Sequence, residues 1–414
     1  MPILDRATTL AFLSLLALAT WAAPAHADVA HATGEELRVD LYTYGPGAVY
    51  WERFGHDALV LTDVRDGEAI AFNYGLFDFD QKDFFLNFAR GRMNYMAAAW
   101  PAADDVSQYE QEGRWIEVQR LDLAPAQRAA LRDFLVWNVQ PQHARYAYDY
   151  YTSNCTTRIR DALDHVLDGA LRAQAQPQAR DFTYRSQTDR LMANQPWLML
   201  LLDLGLGPYA DQRLDGWSGS FLPQELMQTL RTARTAEGRP MVLTELNLSR
   251  ARLLAPPAEA PDLRWPLFAA GAGCGIALAL CAWLRRRHRI ARAAFAFIGT
   301  AYALLAGIAG TLMLVLWLAT THHSAWANEN LLLFNPLAWL LVPALLRTRR
   351  PTARADRFAT VLAAAFVLAA LIALAGHLSG WLPQRNLPWI LFALPAWIGL
   401  AAGVRSALPR VAIA

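Results

Sequence analysis

The sequence predicts an α+β domain, an antiparallel sheet with helices, followed by an all-α bundle of about five transmembrane helices. Three observations carry this. Only 18% of the 414 residues are charged and 55% are hydrophobic, whereas an ordinary soluble domain is about a quarter charged. The apolar excess is concentrated in five segments after Arg264. Between Asp28 and Arg264 the pattern changes to short alternating stretches and amphipathic runs, as in a soluble fold.

The elements follow in chain order. Arg6, the apolar run Leu10 to Ala23 and the triplet Ala25-His26-Ala27 form a secretory signal with an A-x-A cleavage site over residues 1–27. That run is too short to span a bilayer comfortably. Residues 28–254 form the outer domain. Its first half is β-rich: Leu37–Tyr42 alternates apolar and polar residues, and His56–Leu61 is a second strand. Asp66-Gly67 is a hairpin turn signal, Ala69–Tyr74 the paired strand, and Trp115–Leu123 a later one. Pro125–Val139 reads as a helix with proline in its first turn and Leu131, Phe134 and Leu135 on one face. A second helix runs from about Thr156 to Leu167 and buries Ile159, Leu163, Val166 and Leu167. Trp197–Leu206 is apolar but interrupted by Asp203. A buried core helix is the expectation there, and a helix dipping into the lipid interface is the alternative.

Residues 255–264 are a short Pro-rich linker, Ala255-Pro256-Pro257 through Pro261. The membrane domain, residues 265–408, holds spans of about Trp265–Leu284, Ala293–Thr320, Leu331–Leu346, Phe358–Leu378 and Leu387–Val404. Crossing takes ~20 residues at 1.5 Å each, so the third span is short and calls for local thinning or longer flanks. Gly271, Gly273 and Gly275 read as close helix packing, because no strand precedes them to make a nucleotide loop. Arg285, Arg286, Arg287, Arg289 and Arg292 follow the first span, and Arg347, Arg349, Arg350, Arg354 and Arg357 follow the third. The positive-inside rule makes both arginine loops and the C-terminus cytoplasmic. The outer domain, the Thr320–Asn330 loop and the Ser379–Asn386 loop then share the outer side of the membrane. The formal charge of +2 divides accordingly: residues 28–264 carry 24 basic and 33 acidic side chains, net −9, leaving +11 elsewhere.

Three cysteines cannot make a disulfide scaffold, and two of them, Cys274 and Cys281, lie in the first span. Cys155 is therefore a lone thiol in an oxidising compartment, a liability unless buried or used. Ser153 and Asn154 before it are helix-capping residue types, and Thr156-Thr157-Arg158 opens the helix. Cys155 would then sit where the macrodipole lowers a thiol pKa. A thiolate nucleophile needs a base. His56, at the start of a strand, is the best placed histidine. Asn73 or Tyr74 on the paired strand could hold its ring, and Asn73 is preferred.

These residues carry a resemblance. Phe54-Gly55-His56-Asp57-Ala58-Leu59, Phe72-Asn73-Tyr74-Gly75 and Asn154-Cys155-Thr156-Thr157-Arg158-Ile159-Arg160-Asp161 resemble the periplasmic domain of Lnb-type bacterial lipoprotein N-acyltransferases. The order, histidine strand first and cysteine helix later, is similar to the circularly permuted papain/NlpC-like thiol fold. His322-His323-Ser324 and Asn328-Glu329-Asn330 through Pro336 are similar to the family's transmembrane motif. The resemblance implies Cys155 as nucleophile and His56 as base. Asn154, Thr156, Arg158, His322, His323, Asn328 and Asn330 are accessory candidates. It also implies a phospholipid acyl donor and a lipoprotein acceptor among the membrane lipids, and that the outer side is the periplasmic side of a bacterial inner membrane. Two adjacent histidines with a distant Glu329 lack the spacing of a metal site, so neither a metal nor a cofactor is expected. The arginine clusters lie beside a bilayer, and nothing points to nucleic acid. Two other functions fit the same residues: a membrane-tethered NlpC-like cell-wall amidase or endopeptidase, and a non-catalytic envelope binding module with an inert, buried Cys155.

Overall fold

A computed structural model describes residues 27–77, 81–350 and 356–405. The signal-sequence expectation, apart from Ala27, and Arg354 fall outside the described residues. The chain forms two compact units: residues up to 84 with 93–180 and 214–255, and residues 85–92 and 181–213 with those from 256 onward. The segment 181–213, which the sequence assigned to the outer domain, thus packs with the membrane-spanning helices.

The first unit is built on a seven-stranded sheet. Its strands are β1 Leu37–Tyr44, β2 His56–Asp63, β3 Ala69–Phe77, β4 Asn94–Pro101, β5 Ile116–Leu121, β6 Arg145–Ala147 and β7 Val242–Ser249. They run antiparallel in the order β6-β4-β3-β2-β1-β5-β7. The β2–β3 connection turns at Gly67, whose φ of 84° suits a residue without a Cβ. β2 is central, and every residue after His56 in it is buried. One face of the sheet packs Leu37, Leu41, Leu59, Leu61, Ile70 and Phe72 against Leu131 and Leu135 of helix Pro125–Asn138. Ile159 and Leu163 of helix Cys155–Val166 join the same core. The other face packs Tyr44, Ala58, Val60 and Ala71 beneath helix Ala102–Gln111. Burial of each large aliphatic side chain is worth roughly 1.5–3 kcal/mol, so the two helical layers fix the sheet between them. The sequence did not predict β4, β6, β7 or helix Ala102–Gln111.

Among the described residues, the second unit contains five segments long and apolar enough to cross a membrane: Arg264–Leu284, Arg289–Ala319, Glu329–Arg347, Arg357–Ser379 and Leu387–Arg405. The third is not one α-helix. It begins as 3-10 turns at Glu329–Leu332 and Pro336–Leu341 and becomes α-helical at Val342–Arg347. Pro336 and Pro343 each remove a backbone donor there. A 3-10 turn rises about 2.0 Å per residue against 1.5 Å for an α-helix, so this short segment reaches further than its length suggests. Spans one and five meet backbone to backbone. A Cβ at Gly271 would run into the Phe392 carbonyl, and one at Gly275 into that of Pro395. Gly273 has open space around it and takes no part.

Helix Pro196–Gly205 reverses the expectation for an apolar segment. Asp203 is buried while Trp197, Leu201 and Leu202 are exposed. Arg185 explains the inversion. Its Nη1 donates to Asp203 Oδ1 at 2.7 Å, and its Nε and Nη2 donate to Asp211 at 2.8 and 3.0 Å. A buried guanidinium must be neutralised and saturated, so the aspartate faces inward and the leucines face out.

Candidate active site

Cys155 is the first residue of helix Cys155–Val166, and the helix starts there because Asn154 caps it. The Asn154 side-chain oxygen accepts from the Thr157 amide at 2.9 Å, and the Thr157 hydroxyl accepts from the Asn154 amide at 2.7 Å. The Asn154 side-chain Nδ2 also donates to the carbonyls of Tyr150 and Phe221, tying the cap to two loops. Such a box satisfies two of the donors a helix start leaves open. The Thr156 amide, in the first turn, is directed at the sulfur, while those of Thr157 and Arg158 are taken by Asn154.

The helix packs across β2 and β3. Gly75, with φ of 88°, lets β3 pass close by: a Cβ there would lie 3.6 Å from that of Cys155. The sulfur lies 3.8 Å from the Thr156 hydroxyl. Its other near neighbours are the amide and the carboxyl of Asp57. Asp57 is itself buried, accepts from the Thr43 hydroxyl at 2.8 Å, and is pushed up to about 6 by burial. The thiol is pushed up to about 11, first by burial and then by the Asp57 carboxyl, against hydrogen bonds from the amides of Asp57 and Thr156. This differs from the sequence expectation of a depressed thiol pKa. The helix start does favour the thiolate, but desolvation outweighs it. The resting group is a protonated thiol.

His56 opens β2, adjoining Asp57. The pairing of Ala58 with Asn73 makes Asn73 its diagonal neighbour across the strands. His56 Nε2 lies 2.8 Å from Asn73 Oδ1. Asn73 Nδ2 in turn donates to Asp105 Oδ2 at 2.9 Å. Asp105 also accepts from Trp100 Nε1 at 2.6 Å and from the Tyr44 hydroxyl at 3.4 Å. A carboxylate surrounded by donors fixes which end of the Asn73 amide faces it, so the amide oxygen faces His56. The imidazole must then carry its proton on Nε2, which leaves the Nδ1 lone pair free. Burial lowers the His56 pKa, against the pull of Asn73 and Asp105, and keeps the ring neutral near pH 7. Burial raises that of Asp105, against the hydrogen bond from Asn73. Tyr109 borders both reactive groups: its ring centroid is 6.0 Å from that of His56, and Cys155 is near enough to raise its pKa, which burial chiefly sets. Both Cys155 and His56 are half-buried, so the site has access to solvent.

The remaining sequence candidates divide between the units. Thr156 is buried beside the sulfur, with its hydroxyl also on Asp57. Arg158 lies over the Tyr146 ring at 4.8 Å and the Tyr74 ring at 5.8 Å. Tyr74 faces the opposite side of the sheet from Asn73, where its hydroxyl donates to Asn138 Oδ1 at 2.8 Å. His322, His323, Asn328 and Asn330 belong to the second unit. His322 Nε2 lies 3.1 Å from the Phe88 carbonyl, and His323 meets the Tyr209 ring edge to face. Asn328 donates to the carbonyls of Leu204, Gly205 and Leu206, and Asn330 to that of Leu204. These two asparagines close the open end of helix Pro196–Gly205. Asp105 and Trp100, which orient the Asn73 amide, were missed from sequence. Pro101 before an acidic first turn, Asp104-Asp105, was the one available sign of that helix.

The fold and the site define a multi-pass membrane protein whose sheet domain presents a thiol at a helix start and a histidine held by an asparagine. Residues 28–190 match the family model described as Lnb N-terminal periplasmic domain. Residues 259–405 match the one described as Lnb transmembrane domain. With both halves matched in order, the chain belongs to the Lnb family. Neither the curated proteins nor the solved structures contain a match to it.

Proposed function

We propose that this protein is a cysteine-dependent acyltransferase that moves a fatty acyl chain from a phospholipid to the N-terminal amine of a diacylglyceryl-cysteine lipoprotein. The observation that supports it most is the chain His56–Asn73–Asp105 in the same sheet domain as Cys155, whose sulfur adjoins Asp57, the residue next to His56, in a molecule with five candidate membrane spans. A neutral imidazole with a free Nδ1 is a competent base for a thiol that burial keeps protonated. Cys155 Sγ attacks the ester carbonyl carbon and its proton passes to His56 Nδ1. The tetrahedral oxyanion is stabilised by amides at the helix start. Collapse breaks the ester C–O bond, and the lysophospholipid oxygen leaves with the proton from His56. The acceptor amine then attacks the Cys155 thioester, the C–S bond breaks, and the amine's proton returns to the sulfur through His56. Both substrates are lipid-embedded, which accounts for a thiol domain joined to membrane spans.

The two arginine loops support an orientation with the sheet domain periplasmic and the C-terminus cytoplasmic, and the family assignment supports a bacterial inner membrane. The test is mass spectrometry of lipoprotein N-termini from cells carrying the parental chain, Cys155→Ser or His56→Ala at equal membrane abundance. The N-acyl group is expected only with the parental chain. Full N-acylation with Cys155→Ser would overturn the mechanism. Unchanged lipoproteins together with shortened cell-wall peptides would favour an amidase.

A further inference from the structure

Helix Pro196–Gly205 is amphipathic in the inverse sense of a water-facing helix. Its inward residues are Met199 and Asp203, the latter only 3% exposed, while Trp197 is 66% and Leu201 59% exposed. At 100° per residue, Trp197, Leu198, Leu201 and Leu202 fall on one side, and none is polar. Ten residues make about 15 Å of helix, too short to cross ~30 Å of hydrocarbon.

The neighbours say what covers this face. Leu200 and Leu204 pack into the apolar cluster of the membrane spans. Trp389 Nε1, near the start of the fifth span, donates to Asp203 Oδ2 at 2.7 Å. Asn328, just before the third span, and Asn330, in its first turn, hold the carbonyls at the helix end. Gln384, between the fourth and fifth, reaches Leu206 and Asn328. The helix is therefore clasped at the level where four spans end, and its leucines continue the apolar surface of those spans. The same two loops expose Trp326 and Trp381, as residues of an interfacial aromatic belt do.

We propose that residues 196–205 form an interfacial helix, lying in the bilayer boundary with Trp197, Leu201 and Leu202 in lipid. Arg185 is the internal anchor that holds its one charged residue away from the lipid. The proposal stands apart from the acyltransferase assignment, since it concerns the second unit alone.

The experiment uses the full chain in phosphatidylethanolamine–phosphatidylglycerol vesicles containing a phosphatidylcholine with a diazirine in one acyl chain. After irradiation, trypsin releases Leu191–Arg213 as one peptide. Lipid adducts on Trp197, Leu201 or Leu202, at a level comparable with the span peptides, are expected. Labelled spans with an unlabelled Leu191–Arg213 peptide would overturn the proposal. So would rapid oxidative disulfide formation between two copies of a Leu201→Cys chain lacking the native cysteines, which would assign the face to a second copy. As an independent arm, a nitroxide at Leu201→Cys, with the three native cysteines changed to alanine, should be relaxed more by oxygen than by a water-soluble nickel chelate. The opposite order would place the face in water and refute it.

Discussion

Asp105→Asn is the substitution that best tests how the histidine is set. Asp105 Oδ1 accepts from Trp100, and Oδ2 accepts from Asn73 and Tyr44. An asparagine offers one oxygen where the aspartate offers two. Trp100 Nε1 can only donate, whereas the Asn73 amide can flip and the Tyr44 hydroxyl can accept. The favoured arrangement keeps the new oxygen on Trp100 and points the new NH2 at Asn73. Asn73 then flips, presents its own NH2 to His56 Nε2, and forces the imidazole proton onto Nδ1. The Nδ1 lone pair, the base in the proposed mechanism, is lost in that tautomer. Restoring it leaves the Trp100 donor unmatched, which costs about 1–3 kcal/mol. The productive population, and with it the acylation rate, should fall roughly 5- to 150-fold. Substrate affinity should change little, because Asp105 is buried and has no route to the substrate. The assay is single-turnover acylation of the detergent-solubilised chain with a saturating short-chain phospholipid. Trp100→Phe in the Asp105→Asn background removes the donor that drives the flip and should recover part of the rate. Parental acylation in Asp105→Asn would refute this account. So would a double variant in which the two losses simply multiply.

Four further outcomes follow from the geometry. The thiol is pushed up to about 11, so its alkylation by iodoacetamide should be slower at pH 7.5 than that of an ordinary cysteine and should keep rising toward pH 11. His56 must be neutral to accept the proton and its pKa is lowered by burial, so activity should survive below pH 6.5 and fade as pH drops through the His56 pKa; a midpoint above 6.5 would contradict this. Gly75→Ala places a Cβ at φ of 88°, 3.6 Å from that of Cys155. The strain costs about 1–2 kcal/mol, which should lower the melting temperature by a few degrees and slow acylation together; an unchanged melt would disprove the strain. Arg185→Met leaves Asp203 and Asp211 buried without their cation. It should destabilise the second unit by about 3–5 kcal/mol, read by thermal unfolding in detergent, and a loss under 1 kcal/mol would show the pair to be solvated.

Much of the fold was legible because its signals are local. The strands Leu37–Tyr44, His56–Asp63 and Ala69–Phe77 and the helix Cys155–Val166 are marked by alternation, a turn dipeptide and a capping pair. The five spans are marked by length and composition. β4, Asn94–Pro101, was not visible: its run Ala97-Ala98-Ala99 has neither alternation nor β-branched residues, and it owes its strand to pairing with β3. Trp197–Leu206 illustrates a different limit. Periodicity tells which residues share a face but not which solvent that face meets. The environment was decided by Arg185, eighteen residues before Asp203, which drew the aspartate inward.

The site shows the same division. Cys155 could be picked out by elimination and by its capping residues, and His56 and Asn73 by lying on paired strands. Asp105 could not, since its importance arises from an antiparallel register that sets Asn73 diagonal to His56 and from a helix returning over that face of the sheet. An isolated acidic residue in an exposed-looking Asp-Asp pair carries no mark of burial. Yet it alone determines which way a symmetric-looking amide points, and therefore which imidazole nitrogen is free. In the proposed mechanism, a side chain remote from the thiol thus governs whether His56 can serve as its base.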